Sequence, residues 1–176
     1  MQHVNIKIFA KRPIDVSAAI PVFHRWIQER SVPEILIDVA DYSHVPEGPG
    51  VLLIAHEANY SLDCSRNQLG LLYNRKVVGE GNAQDSLRQA YDAALNACRQ
   101  LENEPEFKGS LQFDPNHLEL VLNDRLLHPN DDESWRAIEP EAKRFFDGVF
   151  GAGKYSLECA GEPRERLRAT VRGLSQ

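Results

Sequence analysis

The chain has 176 residues and a formal net charge of −6 at pH 7, with 42% hydrophobic and 26% charged residues. This length and these proportions are typical of a soluble globular protein, and residues 1–176 are expected to form a single globular domain. Because non-specific binding of nucleic acid needs lysine and arginine to neutralise phosphates, the acidic balance argues against a nucleic-acid partner.

The cellular compartment can be inferred from the apolar runs and the cysteines. No apolar run approaches the roughly 20 residues that span a bilayer, and the first residues alternate instead of forming the apolar core of a signal peptide. Cys64, Cys98 and Cys159 are odd in number and have no CxxC spacing, which argues against a disulfide framework or a structural zinc site. We therefore expect a cytoplasmic protein with no membrane partner.

The first segment predicts a strand followed by a helix. Apolar residues alternate with their neighbours over residues 4–9, as in a strand with two different faces. Residues 16–27 place apolar side chains about one helical turn apart, which predicts an amphipathic helix. Ser17 can cap this helix, and Pro21 is expected to open the main helix after a separate first turn, because proline is best tolerated there.

Three further strands are predicted after this helix. Residues 35–40 form the second strand, and residues 51–63 are predicted to form one long third strand. Because alternate side chains of a strand share a face, this third strand would place His56 and Tyr60 on the same side. Residues 71–77 predict a fourth strand, which would pair with the third as a hairpin across a turn-rich link.

The second half of the chain predicts two more helices. Apolar residues at helical spacing over residues 83–103 predict the second helix, with Asn82 as its N-cap. Alternation over residues 118–122 predicts a fifth strand. The third helix is expected to begin at the capping residue Asn130, and Pro140 should kink or split it.

The chain is expected to end in a hairpin formed by residues 155–160 and 166–172. The complete order of elements predicts an α+β fold, a mainly antiparallel sheet with three helices packed on it. Each half contains strand, helix, strand, strand, so the order allows a duplicated strand-helix-strand-strand arrangement. In topology alone this resembles the small-molecule sensor domains of the gyrase-inhibitor-like fold, a resemblance that transfers no residues.

The richest stretch of chemically capable side chains lies between Asp38 and Asp63, around a rigid break at residues 46–50. An apolar wall with a few polar groups is typical of small-molecule pockets, and the glycines of the break let backbone approach a ligand closely. We therefore predict a pocket for a small-molecule ligand near residues 38–63. Its candidate ligand-binding residues are Asp41, His44, His56, Glu57 and Tyr60.

The same residues allow a second interpretation, a metal-assisted hydrolase. Asp41, His44 and His56 would then be metal ligands, and Glu57 would be the general base. Their spacing matches no established ligand pattern, and His56 and Glu57, as neighbours in a strand, would point to opposite faces. A core histidine and turn-capping aspartates explain these residues more simply, so no metal site is predicted.

Other motifs have simpler structural explanations. Four arginines near the C-terminus could bind phosphate or RNA, but no aromatic residues interleave, and a charged face that blocks edge-to-edge strand pairing is favoured. They are Arg164, Arg166, Arg168 and Arg172. Residues 123–130 link a strand to a helix, where an anion could bind, although turn and capping roles are favoured. No P-loop, dinucleotide fingerprint or nucleophile elbow is present, so the sequence assigns no cofactor and does not decide whether the protein is an enzyme.

The leading functional hypothesis is a non-enzymatic small-molecule-binding or accessory protein that uses the pocket predicted near residues 38–63. The hydrolase is the first alternative. The second alternative is an interaction or assembly protein that acts through charged surfaces. The acidic segment 131–141 and the arginine-rich segment 164–172 are opposite in sign, and they could pair between copies of the chain in a homo-oligomer.

Overall fold

An eight-stranded antiparallel sheet forms the centre of the computed structural model, which describes residues 3–78 and 81–174. The strands lie in the order β2-β3-β4-β5-β1-β6-β8-β7, and every neighbouring pair is antiparallel. Their bounds are β1 Val4–Ala10, β2 Leu36–Tyr42, β3 Gly50–Ala55, β4 Ala58–Asp63, β5 Gly70–Arg75, β6 Phe113–Leu122, β7 Tyr155–Ala160 and β8 Arg168–Gly173.

Three helices cover one face of this sheet: α1 (Ala19–Glu29), α2 (Ala83–Asn103) and α3 (Asp132–Phe150). Helix α1 packs on β2 and β3, α2 packs on β1 and β5, and α3 packs on β7. Buried apolar side chains from all three helices and from the sheet form one continuous core. The predicted α+β fold is therefore confirmed. No helix within the described ranges is both long enough and apolar enough to cross a membrane.

The strand order is symmetric about the central pair β1–β6. On one side lie β5 and then β4, and on the other side lie β8 and then β7. Each half of the chain thus contributes a strand, a helix and an antiparallel hairpin, in the manner of a duplicated strand-helix-strand-strand unit. Helix α2 and the β2–β3 hairpin are additional to this pattern, and the hairpin extends the sheet at one edge.

The single strand predicted over residues 51–63 is wrong, because the chain turns at His56 and Glu57. β3 and β4 are instead the two arms of a tight hairpin, in which Ile54 lies opposite Asn59. The two-residue turn reverses the alternation of faces. The helix-covered face is formed by odd-numbered residues in β3 and by even-numbered residues in β4: Val51, Leu53 and Ala55, then Ala58, Tyr60 and Leu62.

The start of α1 agrees with the sequence except for the identity of its cap. A separate 3-10 turn, Val16–Ala18, precedes the helix as predicted. The carboxylate of Asp15 accepts the N–H of Ser17, so Asp15 caps this turn and Ser17 does not. Pro21 lies in the first turn of α1, where the missing N–H costs no helical hydrogen bond.

The third helix begins one residue later than predicted and is not interrupted. The carboxylate of Asp131 accepts the N–H of Ser134, and α3 follows directly. Asn130 is buried and instead donates from Nδ2 to the carbonyl of Glu162, at 2.7 Å. Pro140 lies inside α3, which continues through it to Phe150. The terminal hairpin that follows, β7 with β8, is confirmed.

Replacing Asn82 with alanine should destabilise the protein by about 1 kcal/mol, the usual cost of losing an N-cap. The Asn82 side chain accepts from the N–H groups of Gln84 and Asp85, and Asp85 in turn accepts the N–H of Asn82. Urea unfolding followed by circular dichroism measures the loss. The control is Asp92→Ala on the exposed side of the same helix, which should change stability by less than about 0.5 kcal/mol.

Candidate functional site

The face of the sheet opposite the helices carries a cluster of buried charges at its centre. Lys7 on β1 and Glu119 on β6 lie directly opposite each other in the central strand pair. Lys7 is 1% exposed and Glu119 is 4% exposed, and Asp63 at the end of β4 is 4% exposed. Charged groups are expensive to bury unless they are paired, so the partners of these three side chains define the site.

Lys7 is held by the loop between β4 and β5. Its Nζ atom donates to Oδ1 of Asp63 at 2.5 Å and to the backbone carbonyl of Gln68 at 2.6 Å. The other carboxylate oxygen of Asp63 accepts the hydroxyl of Ser65 at 2.7 Å. A Cβ atom on Gly70 would lie 2.8 Å from Cε of Lys7, so a glycine here leaves the lysine its path across the sheet.

Glu119 is clamped between two arginines. Nη2 of Arg66 contacts both of its carboxylate oxygens, at 2.8 and 2.6 Å, and Nε of Arg168 lies 3.4 Å from Oε1. Arg66 has φ of 60°, a left-handed conformation in the same loop that holds Lys7. Arg168 also pairs with Glu165 at 3.0 Å, and the hydrogen bond from Arg168 is the main cause that lowers the pKa of Glu165. Both arginines are thus fixed by carboxylates.

These groups line a cavity of about 300 Å³. Its charged lining comprises six basic side chains and three carboxylates, an excess of three positive charges. Arg125 and Arg164 form no ion pair and donate no side-chain hydrogen bond to any residue in the described ranges. The charged lining consists of Lys7, Arg66, Arg125, Arg164, Arg166 and Arg168 with Asp63, Glu119 and Glu165.

The structure does not bring the five candidate residues of the sequence together. Asp41 is exposed on the edge strand β2, and His44 is exposed in the turn that follows it. His56 and Glu57 form the exposed turn at the other end of β3, which is about 20 Å away at ~3.3 Å per residue. Tyr60 is 1% exposed and lies on the helix-covered face.

The positions of the candidate ligands do not support a metal centre in residues 38–63, because His44 and His56 lie at opposite ends of the β2–β3 hairpin. In the part of the chain that the structure describes, no group of three histidine, cysteine or acidic residues could hold a metal ion.

The sequence did contain signals for the observed cavity. Lys7 stands between Ile6 and Ile8, and Glu119 stands between Leu118 and Leu120, so each of these charges is flanked by apolar residues in its strand. A charge within an apolar strand indicates either solvent on one face or a buried partner of opposite sign. The arginines assigned to a solvent face also belong here in part, because Arg168 is 13% exposed at its side chain and is paired within the chain.

Comparisons with known proteins do not assign the chain to a family. A scan against protein-family models finds no match, and a search of curated proteins finds no significant relative.

Proposed function

We propose that the protein is a non-enzymatic binding or accessory protein that takes a small anionic molecule into the cavity lined by Lys7, Arg66, Arg125, Arg164 and Arg168. The observation that carries this proposal is the excess of three positive charges in the cavity lining, within a chain whose formal net charge is −6. Attraction of an anion to this site is therefore local and does not arise from the protein as a whole.

Two arginines of the cavity can bind the ligand directly. Arg125 and Arg164 are exposed and have no carboxylate partner among the residues that the structure describes. A guanidinium group presents several N–H donors in one plane, which matches the two oxygens of a carboxylate or phosphate. Arg125 lies in the segment 123–130, where the sequence allowed an anion site but favoured turn and capping roles.

The other charged side chains of the cavity lining are held in place by contacts within the protein. Asp63 and Gln68 fix Lys7, while Glu119 fixes Arg66 and Arg168. Because these side chains are already ordered, binding costs little of their conformational entropy. The volume of about 300 Å³ is at the small end of ligand pockets and suits a phosphate ester or a small polycarboxylate.

Inorganic phosphate and citrate should each bind to the protein. Arg125→Gln or Arg164→Gln should weaken the binding of citrate by roughly tenfold or more, which is the change in affinity expected when one hydrogen bond to a charged group is lost. Isothermal titration calorimetry at low and high salt measures both effects, and binding should weaken as salt screens the arginines. The control is Arg136→Gln, an exposed arginine on α3 outside the cavity.

Unchanged citrate affinity in both cavity variants would contradict the proposal, as would an equal loss in Arg136→Gln. Failure of both anions to bind to the unaltered protein at millimolar concentration would also contradict it.

A further inference from the structure

A second cleft lies on the other face of the sheet, between α2 and the chain that follows α1. Its volume is about 710 Å³, more than twice that of the arginine-lined cavity. Tyr60, the one candidate residue that is buried, contributes to its lining. The polar and charged side chains of its lining include Glu34, Tyr60, Gln89, Asp92 and Arg99.

Two acceptor atoms in this cleft are buried and have no hydrogen-bond partner among the described residues: Oε2 of Glu34 and Oε1 of Gln89. Gln89 is oriented by its other amide atom, since Nε2 donates to the hydroxyl of Tyr73 at 2.8 Å. Buried polar atoms are almost always paired in folded proteins. Because both of these atoms are acceptors, a ligand that satisfies them must donate hydrogen bonds.

The charge and the aromatic surface of the cleft favour a positively charged donor. Burial and the charge of the nearby Glu34 carboxylate raise the pKa of Tyr60, so the tyrosine hydroxyl stays neutral. The rings of Tyr60 and Tyr73 meet edge to face at 5.1 Å, and aromatic faces attract cations. The lining has two carboxylates, from Glu34 and Asp92, against one arginine.

We infer that this cleft binds a small organic molecule through its protonated amine, with Glu34 and Gln89 accepting the ammonium hydrogens beside Tyr60. The inference does not depend on the arginine-lined cavity, because it concerns different residues, the opposite face of the sheet and a ligand group of opposite charge. The organic part of the ligand would occupy the apolar surface between the segment 31–34 and α2.

The test uses three probes that share a phenyl ring and differ in their polar group: phenethylamine, phenethyl alcohol and hydrocinnamate. Each probe is titrated into the protein. Its binding is measured from the NMR chemical shifts of the backbone amides in α2. Phenethylamine should bind at least about tenfold more tightly than the alcohol, since it adds charge-assisted hydrogen bonds, and hydrocinnamate should bind most weakly.

Glu34→Gln should reduce the affinity for phenethylamine by roughly tenfold or more, and should leave the affinity for phenethyl alcohol nearly unchanged. Glutamine keeps the size of the side chain and one acceptor oxygen, and urea unfolding of the variant checks that its stability is retained. Glu29→Gln, the same substitution at an exposed position of α1 outside the cleft lining, is the control and should leave the affinity for phenethylamine nearly unchanged.

Three results would overturn the inference: no binding of phenethylamine at tens of millimolar, equal affinity for the amine and the alcohol, or an unchanged affinity in Glu34→Gln. Citrate binding in Glu34→Gln distinguishes this site from the arginine-lined cavity, since it should remain at the level of the unaltered protein.

Discussion

Replacing Asp63 with alanine is expected to destabilise the protein by about 3–5 kcal/mol, the typical cost of removing one partner from a buried ion pair. The side chains of Lys7 and Asp63 are 2% and 5% exposed, so the substitution leaves a buried ammonium group without a carboxylate, and among the described residues it keeps the carbonyl of Gln68 and the ring of Phe9 as partners. The loop that carries Arg66 also loses its anchor, because Ser65 donates its hydroxyl to Asp63. Weaker binding of citrate should therefore accompany the loss of stability.

Urea unfolding measured by tryptophan fluorescence gives the free-energy change. The control is Lys143→Met, which breaks the exposed pair between Lys143 and Glu139 and should cost less than about 1 kcal/mol. A double variant, Lys7→Met with Asp63→Ala, should recover part of the stability lost in Asp63→Ala, because it removes the buried charge. If the single and double variants are equally unstable, the cost comes from packing and not from an unpaired ammonium group.

The fold was largely predictable because local patterns determine most of its elements. Strand alternation at residues 4–9 and helical spacing at residues 83–103 each recur in the structure with nearly the same bounds. The turn at His56 and Glu57 could not be predicted in this way, because neither residue is a glycine, proline or asparagine of the kind that marks a tight hairpin. A turn of two residues also reverses the faces, so Tyr60 lies on the face of Leu53 and not, as one continuous strand predicts, on the face of Ile54 and His56.

The candidate site was much less accessible to sequence reasoning, because its contacts join residues that are far apart in the chain. Lys7 and Asp63 are separated by 56 positions, and Arg66 and Glu119 by 53. These contacts depend on the strand order, which places β1 between β5 and β6. The density of polar residues in the stretch 38–63 predicts a site at one edge of the sheet, whereas the charges that share a cavity lie near the centre of the sheet.

The two cavities have opposite chemistry, and the sheet between them explains how both can exist in one small fold. Alternate residues of β4 face opposite sides, so that Tyr60 lines the cleft near α2 while Ser61 and Asp63 face the arginine-lined side. A ligand that orders one side can affect the other through this shared strand. Titrating phenethylamine with and without saturating citrate would measure any such coupling, which must be equal in both directions at equilibrium.

Replacing Gly50 with alanine is expected to cost about 2–5 kcal/mol, the sum of roughly 1–2 kcal/mol for a left-handed backbone and roughly 1–3 kcal/mol for steric overlap. Gly50 has φ of 64°, and a Cβ atom there would lie 2.0 Å from the carbonyl oxygen of Leu62. Since that oxygen belongs to rigid strand backbone, relief requires β3 and β4 to move apart. Leu62 precedes Asp63, so the shift would reach the partner of Lys7.

Gly153→Ala separates the two contributions to this cost. Gly153 also has a positive φ, of 73°, but a Cβ atom there would have no neighbour within 4 Å, so only the backbone cost of about 1–2 kcal/mol applies. Urea unfolding of the two variants gives the steric cost as their difference. An equal loss in both would mean that β4 adapts to the extra methyl group without strain. A larger loss in Gly50→Ala, together with weaker citrate binding, would show that this glycine holds the end of β4 in the position that pairs Asp63 with Lys7.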